Sequence, residues 1–264
     1  MNYYQWLAAL AVLFIALERV WPRIADQRLL RPGWLSDAAY LVFNSKYLGL
    51  LLGYVTVLWL GTLDAIFARH WLSSRPWWVQ FGALLIAIDF AKWSIHNLLH
   101  RVPWLWAFHK VHHSITTMDW IGNWRFHWME IVVYKSLQWL PLAWLGASPK
   151  AVFAVAVVTT VWGDLNHANL DLDLGPLGFV LNGPRMHLWH HDQSAEGGVA
   201  KNFGIVLSLW DHLFGTAYWP RERNPERLGY PGVEEMPGTL VGEVLWPLAA
   251  RGKAAPAPQS KASS

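Results

Sequence analysis

Six of the twelve histidines in this chain lie in two five-residue words of one form, H-x-x-H-H. These words are HKVHH at 109–113 and HLWHH at 187–191, and a related word, HNLLH, runs from 96 to 100. On a helix, residues three and four positions apart share one face, so each word directs its imidazoles to one side. Together the words give eight candidate metal ligands: His96, His100, His109, His112, His113, His187, His190 and His191.

Eight imidazoles are too many for one metal ion, because a catalytic zinc commonly uses three protein ligands. Two ions that share one cage are the natural interpretation. Nitrogen ligands favour Zn, Cu, Fe or Ni over Mg or Ca. The chain contains no cysteine, so thiolate ligands and disulfides are both excluded. Isolated surface or core histidines are the alternative, and three separate words at helical spacing argue against it.

The composition is typical of a membrane protein, since 54% of the residues are hydrophobic and 15% are charged. A soluble protein with buried helices is the alternative. The N-terminal run lacks the basic start and the cleavage site of a signal peptide, so we interpret it as a span. We predict an all-α integral membrane protein with four to five transmembrane helices. The predicted spans are 4–16, 47–62, 77–95 and a hairpin of two helices within 129–165, broken at 146–149 by Gly and Pro.

Positive charge predicts the orientation of these spans. The loop after the first span carries four arginines and a lysine, whereas the loop after the second carries only Arg69 and Arg75. Basic loops tend to be cytosolic, which places every histidine word on the cytosolic side of the membrane, in a helical cap. We expect one membrane-embedded domain over 1–248 and a disordered tail over 249–264, which is rich in Ala, Pro and Ser. The net charge of +3 without a basic cluster argues against a nucleic-acid partner.

Four segments resemble one family: DFAKWSIHNLLHRVPWLWAFHKVHHS, NHANL, MHLWHHD and NFGIVLSLWDHLFGT. Together they look like the fatty acid hydroxylase / sterol desaturase superfamily of integral-membrane, histidine-box di-iron oxygenases, over about Asp89 to Thr216. The resemblance implies two non-haem iron ions, O₂ as co-substrate and a lipid substrate taken from the bilayer. The chain departs from the pattern at Asn97, where many members have Arg. It has no P-loop, dinucleotide fingerprint or haem-attachment word, so we expect a separate electron donor of the ferredoxin or cytochrome reductase type.

The resemblance adds three residues to the candidate site. It implies that His167, in NHAN, and His127, in HWME, are further metal ligands. Glu130 follows as a carboxylate that orients a ligand. The alternative for each histidine is an ordinary polar contact within the cap.

Asp89 is a candidate because it lies in apolar sequence, two helical turns before His96. An ionisable group at membrane depth is costly and is a functional candidate by default. We expect it either to support the outer N–H of a ligand or to pair with Lys92. His70 and His212 are not expected to be ligands. Asp211 is expected to close a turn or cap a helix.

The sequence therefore predicts a membrane enzyme, a di-iron oxygenase that hydroxylates or desaturates a C–H bond of a lipid. A membrane zinc hydrolase is one alternative, although no H-E-x-x-H word supplies its general base. A metal transporter is the other, although transport sites usually lie near the midplane of the bilayer. The substrate stays open among a sterol, a fatty acyl chain, an alkylglycerol and an aminolipid. Without a fused cytochrome-like domain, the chain resembles a bacterial lipid hydroxylase, which we expect in the inner membrane.

Overall fold

The computed structural model describes residues 3–49, 51–52, 54, 71–194 and 201–249. In that part of the chain every regular element is a helix, and β-structure is limited to isolated bridges. The predicted all-α class is confirmed. The α-helices are α1 (Tyr3–Val20), α2 (Trp34–Val42), α3 (Trp77–Arg101), α4 (Pro103–His113), α5 (Trp128–Leu145), α6 (Pro149–His167), α7 (Pro184–His190), α8 (Leu209–Leu213) and α9 (Leu240–Ala249). A π-helix follows α2 at Phe43–Leu48, and 3₁₀ helices lie at Trp120–Trp124, Gly175–Phe179 and Val233–Glu235.

One described helix has the length and composition needed to cross a bilayer. This helix is α3, which has 25 residues and covers the predicted span 77–95. The first predicted span, 4–16, lies within α1. The second, 47–62, falls largely outside the described residues. The total of four to five spans therefore stays a prediction.

The predicted helical hairpin is present between α5 and α6. α5 ends at Leu145 and α6 begins at Pro149, so the helices break at the expected Gly-Pro segment. Gly146 has φ +64°, a left-handed conformation that favours glycine and ends helices. The Ser148 hydroxyl then caps α6 by accepting a hydrogen bond from the Ala151 amide.

The join between α3 and α4 aligns the first two histidine words. A single residue, Val102, separates the two helices. It is extended, with φ −97° and ψ 113°, and it caps the end of α3 and the start of α4. Pro103 opens α4, where its missing N–H costs nothing. Because the break is so short, α3 and α4 pack against each other, and the His96 and His109 rings meet across the join.

Helix α6 completes the framework around these words. It packs against α3, α7 and the 3₁₀ helix Trp120–Trp124. Leu84 and Ile88 of α3 contact Val155 of α6 in a buried apolar cluster. Van der Waals packing of these side chains holds the two long helices side by side. The polar C-terminal ends of α3 and α6 are thereby held near α4 and α7.

Candidate metal centre

Nine histidines converge into two adjoining groups of ring nitrogens. Within each group, one ring nitrogen per histidine lies within 4.8 Å of all the others. All of these histidines are buried except His100, which is partly exposed. The first group contains His96, His100, His109, His113 and His190, and the second contains His112, His167, His187 and His191.

Each H-x-x-H-H word contributes to both groups. His109 and His113 belong to the first group, and His112 between them belongs to the second. In the other word, His187 and His191 belong to the second group, and His190 belongs to the first. The rings of His113 and His191 stack across the boundary, with centroids 4.3 Å apart. The words therefore bind the two groups into one cage, and the eight predicted ligands come together with His167.

Some ring nitrogens of this cage face one another, and others have no partner among the described residues. The Nε2 atoms of His96 and His109 approach to 3.2 Å, and those of His167 and His187 to 3.1 Å. Buried polar atoms without partners are rare in folded proteins, because their desolvation is not compensated. This donor set fits metal ions. The unpartnered ring nitrogens are His100 Nδ1 and Nε2, His113 Nε2, His187 Nδ1, His190 Nε2, and His191 Nδ1 and Nε2.

The outer nitrogens of four histidines are held by backbone carbonyls. A proton on Nδ1 that is donated to a carbonyl fixes the tautomer and leaves Nε2 free to bind a metal. Each of these contacts therefore orients one imidazole towards the interior of the cage. The pairs are His96 with Phe203 at 3.0 Å, His112 with Arg125 at 3.2 Å, His167 with Gly163 at 2.9 Å and His190 with Lys201 at 2.8 Å.

Glu130 holds a fifth histidine with a carboxylate. Its Oε2 lies 2.6 Å from His109 Nδ1, and both side chains are 1% exposed. The structure thus places Glu130 in the position expected of a residue that orients a ligand. Its other oxygen, Oε1, has no partner among the described residues.

Burial favours the neutral form of the cage histidines. Burial lowers the pKa of His112 and His191 well below the usual value of 6.5, and repulsion from neighbouring imidazoles lowers it further. His113, His187 and His190 shift in the same direction, also chiefly because of burial. Neutral imidazole is the form that binds metals, so burial keeps these histidines in the form that a metal would need.

Asp89 supports the cage indirectly. Its carboxylate accepts hydrogen bonds from the Val206 amide at 2.9 Å, the Leu207 amide at 3.1 Å and Trp210 Nε1 at 2.9 Å. None of these donors is a histidine. They belong to the segment that follows Phe203, whose carbonyl holds His96.

Asp211 fixes the same segment from the other side. Its carboxylate accepts from the amides of Phe203 and Gly204, both at 2.8 Å, and from Trp93 Nε1 at 3.0 Å. It also accepts from the Thr216 hydroxyl at 2.6 Å, and this closes the turn that had been expected. Sequence reasoning missed the carbonyls that these carboxylates position, because a backbone acceptor has no residue signature.

His127 lies outside both histidine groups. Its Nε2 is 3.0 Å from the Val244 carbonyl, and its Nδ1 accepts a hydrogen bond from the Met129 amide at 3.2 Å. His212 also lies outside both groups, and its ring centroid is 5.1 Å from that of Phe179. His70 falls outside the described residues.

An all-helical chain with two adjoining histidine groups defines a helical protein with a candidate two-metal site. The family model described as fatty acid hydroxylase matches residues 81–216, which include all nine histidines of the cage. The chain belongs to this family.

Several characterised relatives are lipid-modifying enzymes. Ornithine lipid hydroxylase OlsE of Rhizobium tropici is 33% identical over 166 residues, which cover 62% of this chain and 50% of the relative. Alkylglycerol monooxygenase of Danio rerio is 33% identical over 150 residues, covering 55% and 31%. The human alkylglycerol monooxygenase is 28% identical over 176 residues, covering 63% and 37%. The matched region thus spans half or less of each relative. No solved structure matches this chain.

Proposed function

We propose that this chain is a membrane di-iron oxygenase that uses O₂ and electrons from a separate donor to hydroxylate a C–H bond of a lipid. The observation that carries the proposal is the pair of adjoining all-histidine groups, with five and four members. Their buried, unpartnered ring nitrogens are the donors that a pair of iron ions would need. The names of the relatives, a lipid hydroxylase and a monooxygenase, favour hydroxylation over desaturation.

The proposed ligands are the nine histidines of the two groups. When bound, two iron ions would supply the activation of O₂. The protein holds the imidazoles by their outer nitrogens, through carbonyls and through Glu130, so that the geometry is set before the metal binds. His127 is left out of this set, because both of its ring nitrogens already contact the backbone.

The cage lacks the group that a zinc hydrolase would need. Such an enzyme uses a carboxylate beside the metal as a general base. Among the described residues, neither group includes an Asp or Glu side chain. Glu130 contacts only the outer nitrogen of His109, where it cannot reach a metal-bound water on the other side of the ring. The arrangement therefore favours oxidative chemistry over hydrolysis.

The position of the cage suggests how a lipid reaches it. α3 is long and apolar enough to cross the bilayer, and its last turn carries His100. We place the cage at the cytosolic face of a bacterial inner membrane, within one domain over 1–248. In this position a lipid enters from the bilayer, while the electron donor docks from the cytosol.

The test compares lipid extracts from cells with and without the gene by mass spectrometry. We expect a lipid class that is heavier by one oxygen atom only when the gene is present. Purified protein should repeat the conversion only when O₂ and a reductant are both supplied. A lipid that is lighter by two hydrogen atoms would indicate desaturation, and O₂-independent turnover would contradict the proposal.

A further inference from the structure

A groove runs along the outer face of α3 near its C-terminal end. Its volume is about 430 Å³, within the range of small-molecule sites. This volume accommodates a headgroup and the start of a chain, while the rest of a lipid would remain in the bilayer. Five residues of α3 and two from the segment after α8 line the groove: Trp93, Ser94, Asn97, Leu98, Arg101, Phe214 and Thr216.

The groove borders the most accessible part of the histidine cage. Asn97 lies three positions before His100, and Arg101 follows it, so these side chains emerge side by side on the helix. His100 is the one cage histidine that is partly exposed. The buried Phe203 ring lies beside both His100 and the groove residue Trp93. The ring centroids are 5.2 Å apart for His100 and 6.5 Å apart for Trp93. Phe203 thus connects the groove residue Trp93 with His100 of the first histidine group, although no cage histidine lines the groove itself.

The polar end of the groove holds a cation. Arg101 is exposed and makes no ion pair or hydrogen bond with any other residue that the structure describes. Asn97, one turn earlier, likewise has no partner in the described part of the chain. Trp93, Leu98 and Phe214 make the rest of the lining largely apolar. The groove is therefore amphipathic, and the donors of Asn97 and Arg101 lie at the end where the apolar run of α3 stops.

We propose that this groove binds one membrane lipid whose headgroup carries an anionic oxygen group, either a carboxylate or a phosphate. The guanidinium of Arg101 matches such a group with two parallel N–H donors, and the Asn97 amide adds a third. The chain of the lipid lies along Leu98 and Phe214. This inference rests on the proposed function and narrows its substrate to lipids with anionic groups, so a neutral alkylglycerol would bind without help from Arg101.

The competing explanation is that Arg101 only contacts bulk headgroups at the membrane surface, as many arginines near helix ends do. Arg75 offers a matched control, because it is also exposed and lies at the opposite end of the same helix. A surface role would make the two arginines equivalent. A headgroup site would make them differ.

The test measures lipid binding to the full-length protein in a neutral detergent by native mass spectrometry. The probes are ornithine lipid, phosphatidylglycerol and a neutral alkylglycerol. We expect Arg101→Gln to weaken binding of one or both charged lipids by about tenfold or more, as expected for a lost hydrogen bond to a charged group. Arg101→Lys should retain part of the affinity, Asn97→Asp should weaken it by repulsion, and Arg75→Gln should change nothing.

Equal binding of both charged lipids by wild type and Arg101→Gln would overturn the inference, as would an equal loss in Arg75→Gln. A loss restricted to ornithine lipid or to phosphatidylglycerol would identify the headgroup as a carboxylate or a phosphate. Iron content is measured in the same samples, so the two proposals fail separately. If the purified protein contains no iron but its lipid binding depends on Arg101, the oxygenase proposal fails and the lipid site stands. If the protein contains iron and hydroxylates a lipid but its lipid binding does not depend on Arg101, the lipid site fails and the oxygenase proposal stands.

Discussion

Glu130 Oε2 lies 2.6 Å from His109 Nδ1, and both side chains are buried between α4 and α5. This contact is the one place where a carboxylate, and not a carbonyl, holds the outer nitrogen of a described cage histidine. A carboxylate makes the imidazole a stronger donor to a metal than a carbonyl does. We therefore expect His109 to be the strongest metal donor of the first group.

Replacing Glu130 by Gln should weaken iron binding. Loss of a carboxylate behind a metal-bound histidine costs about 10–100-fold in metal affinity. The measurement is iron retained after dialysis against graded chelator, with the exposed Glu222→Gln as the matched control. Iron retention equal to that of wild type would show that Glu130 plays no part in holding the ligand.

Replacing Asp89 by Asn should destabilise the protein and loosen the cage together. One carboxylate oxygen of Asp89 accepts from the Val206 amide, and the other accepts from the Leu207 amide and Trp210 Nε1, so the Asn amide group would face at least one of these donors. Leaving buried donors unsatisfied costs about 1–3 kcal/mol. Thermal unfolding in detergent and iron content test this effect, and the exposed Asp26→Asn serves as the control. A variant with the stability and the iron content of wild type would contradict this role for Asp89.

His127 should be dispensable for metal binding. Its ring nitrogens contact the Val244 carbonyl and the Met129 amide, so His127→Ala should keep the iron content of wild type. His191→Ala, by contrast, should lose most of its iron, because both ring nitrogens of His191 lie unpartnered in the cage. If His127→Ala lost as much iron as His191→Ala, His127 would belong among the ligands.

Acidification should release the metal and destabilise the fold. Burial lowers the pKa of His112, His113 and His191 below 6.5 in the folded chain, whereas the unfolded chain keeps the usual value. Below about pH 6.5 the unfolded state therefore binds more protons, and stability falls as the pH falls. Thermal unfolding followed from pH 8 to pH 5 should show this loss, with release of metal in the same range. A flat profile would mean that these imidazoles do not titrate on unfolding.

The sequence predicted the cage more fully than it predicted the membrane topology. Helical spacing was enough to predict that the histidines within each word share one face, because the i, i+3, i+4 rule is local. The convergence of the three words depends on how their helices pack. Spacing alone did not reveal that His112 leaves its neighbours His109 and His113 for the second group. That division depends on contacts of the His112 ring with His167, at the end of α6, and with His191, just after α7, and such contacts are a tertiary property.

The residues outside the words were harder to place for the same reason. His127 and His167 both came from the family resemblance, yet only His167 reaches the cage, since it ends α6 where that helix meets α7. Asp89 was identified correctly as a buried acid, but its donors lie more than a hundred residues later in the chain. No local pattern encodes such a pairing.

The central claim is tested most directly by counting metal ions per chain. Wild type, expressed with iron and purified anaerobically, should contain about two iron ions, since nine nitrogen donors exceed the needs of one. Removing the second group with His167→Ala and His187→Ala should leave about one, held by the first group. Zinc in place of iron, or an unchanged iron content in the double variant, would contradict the account.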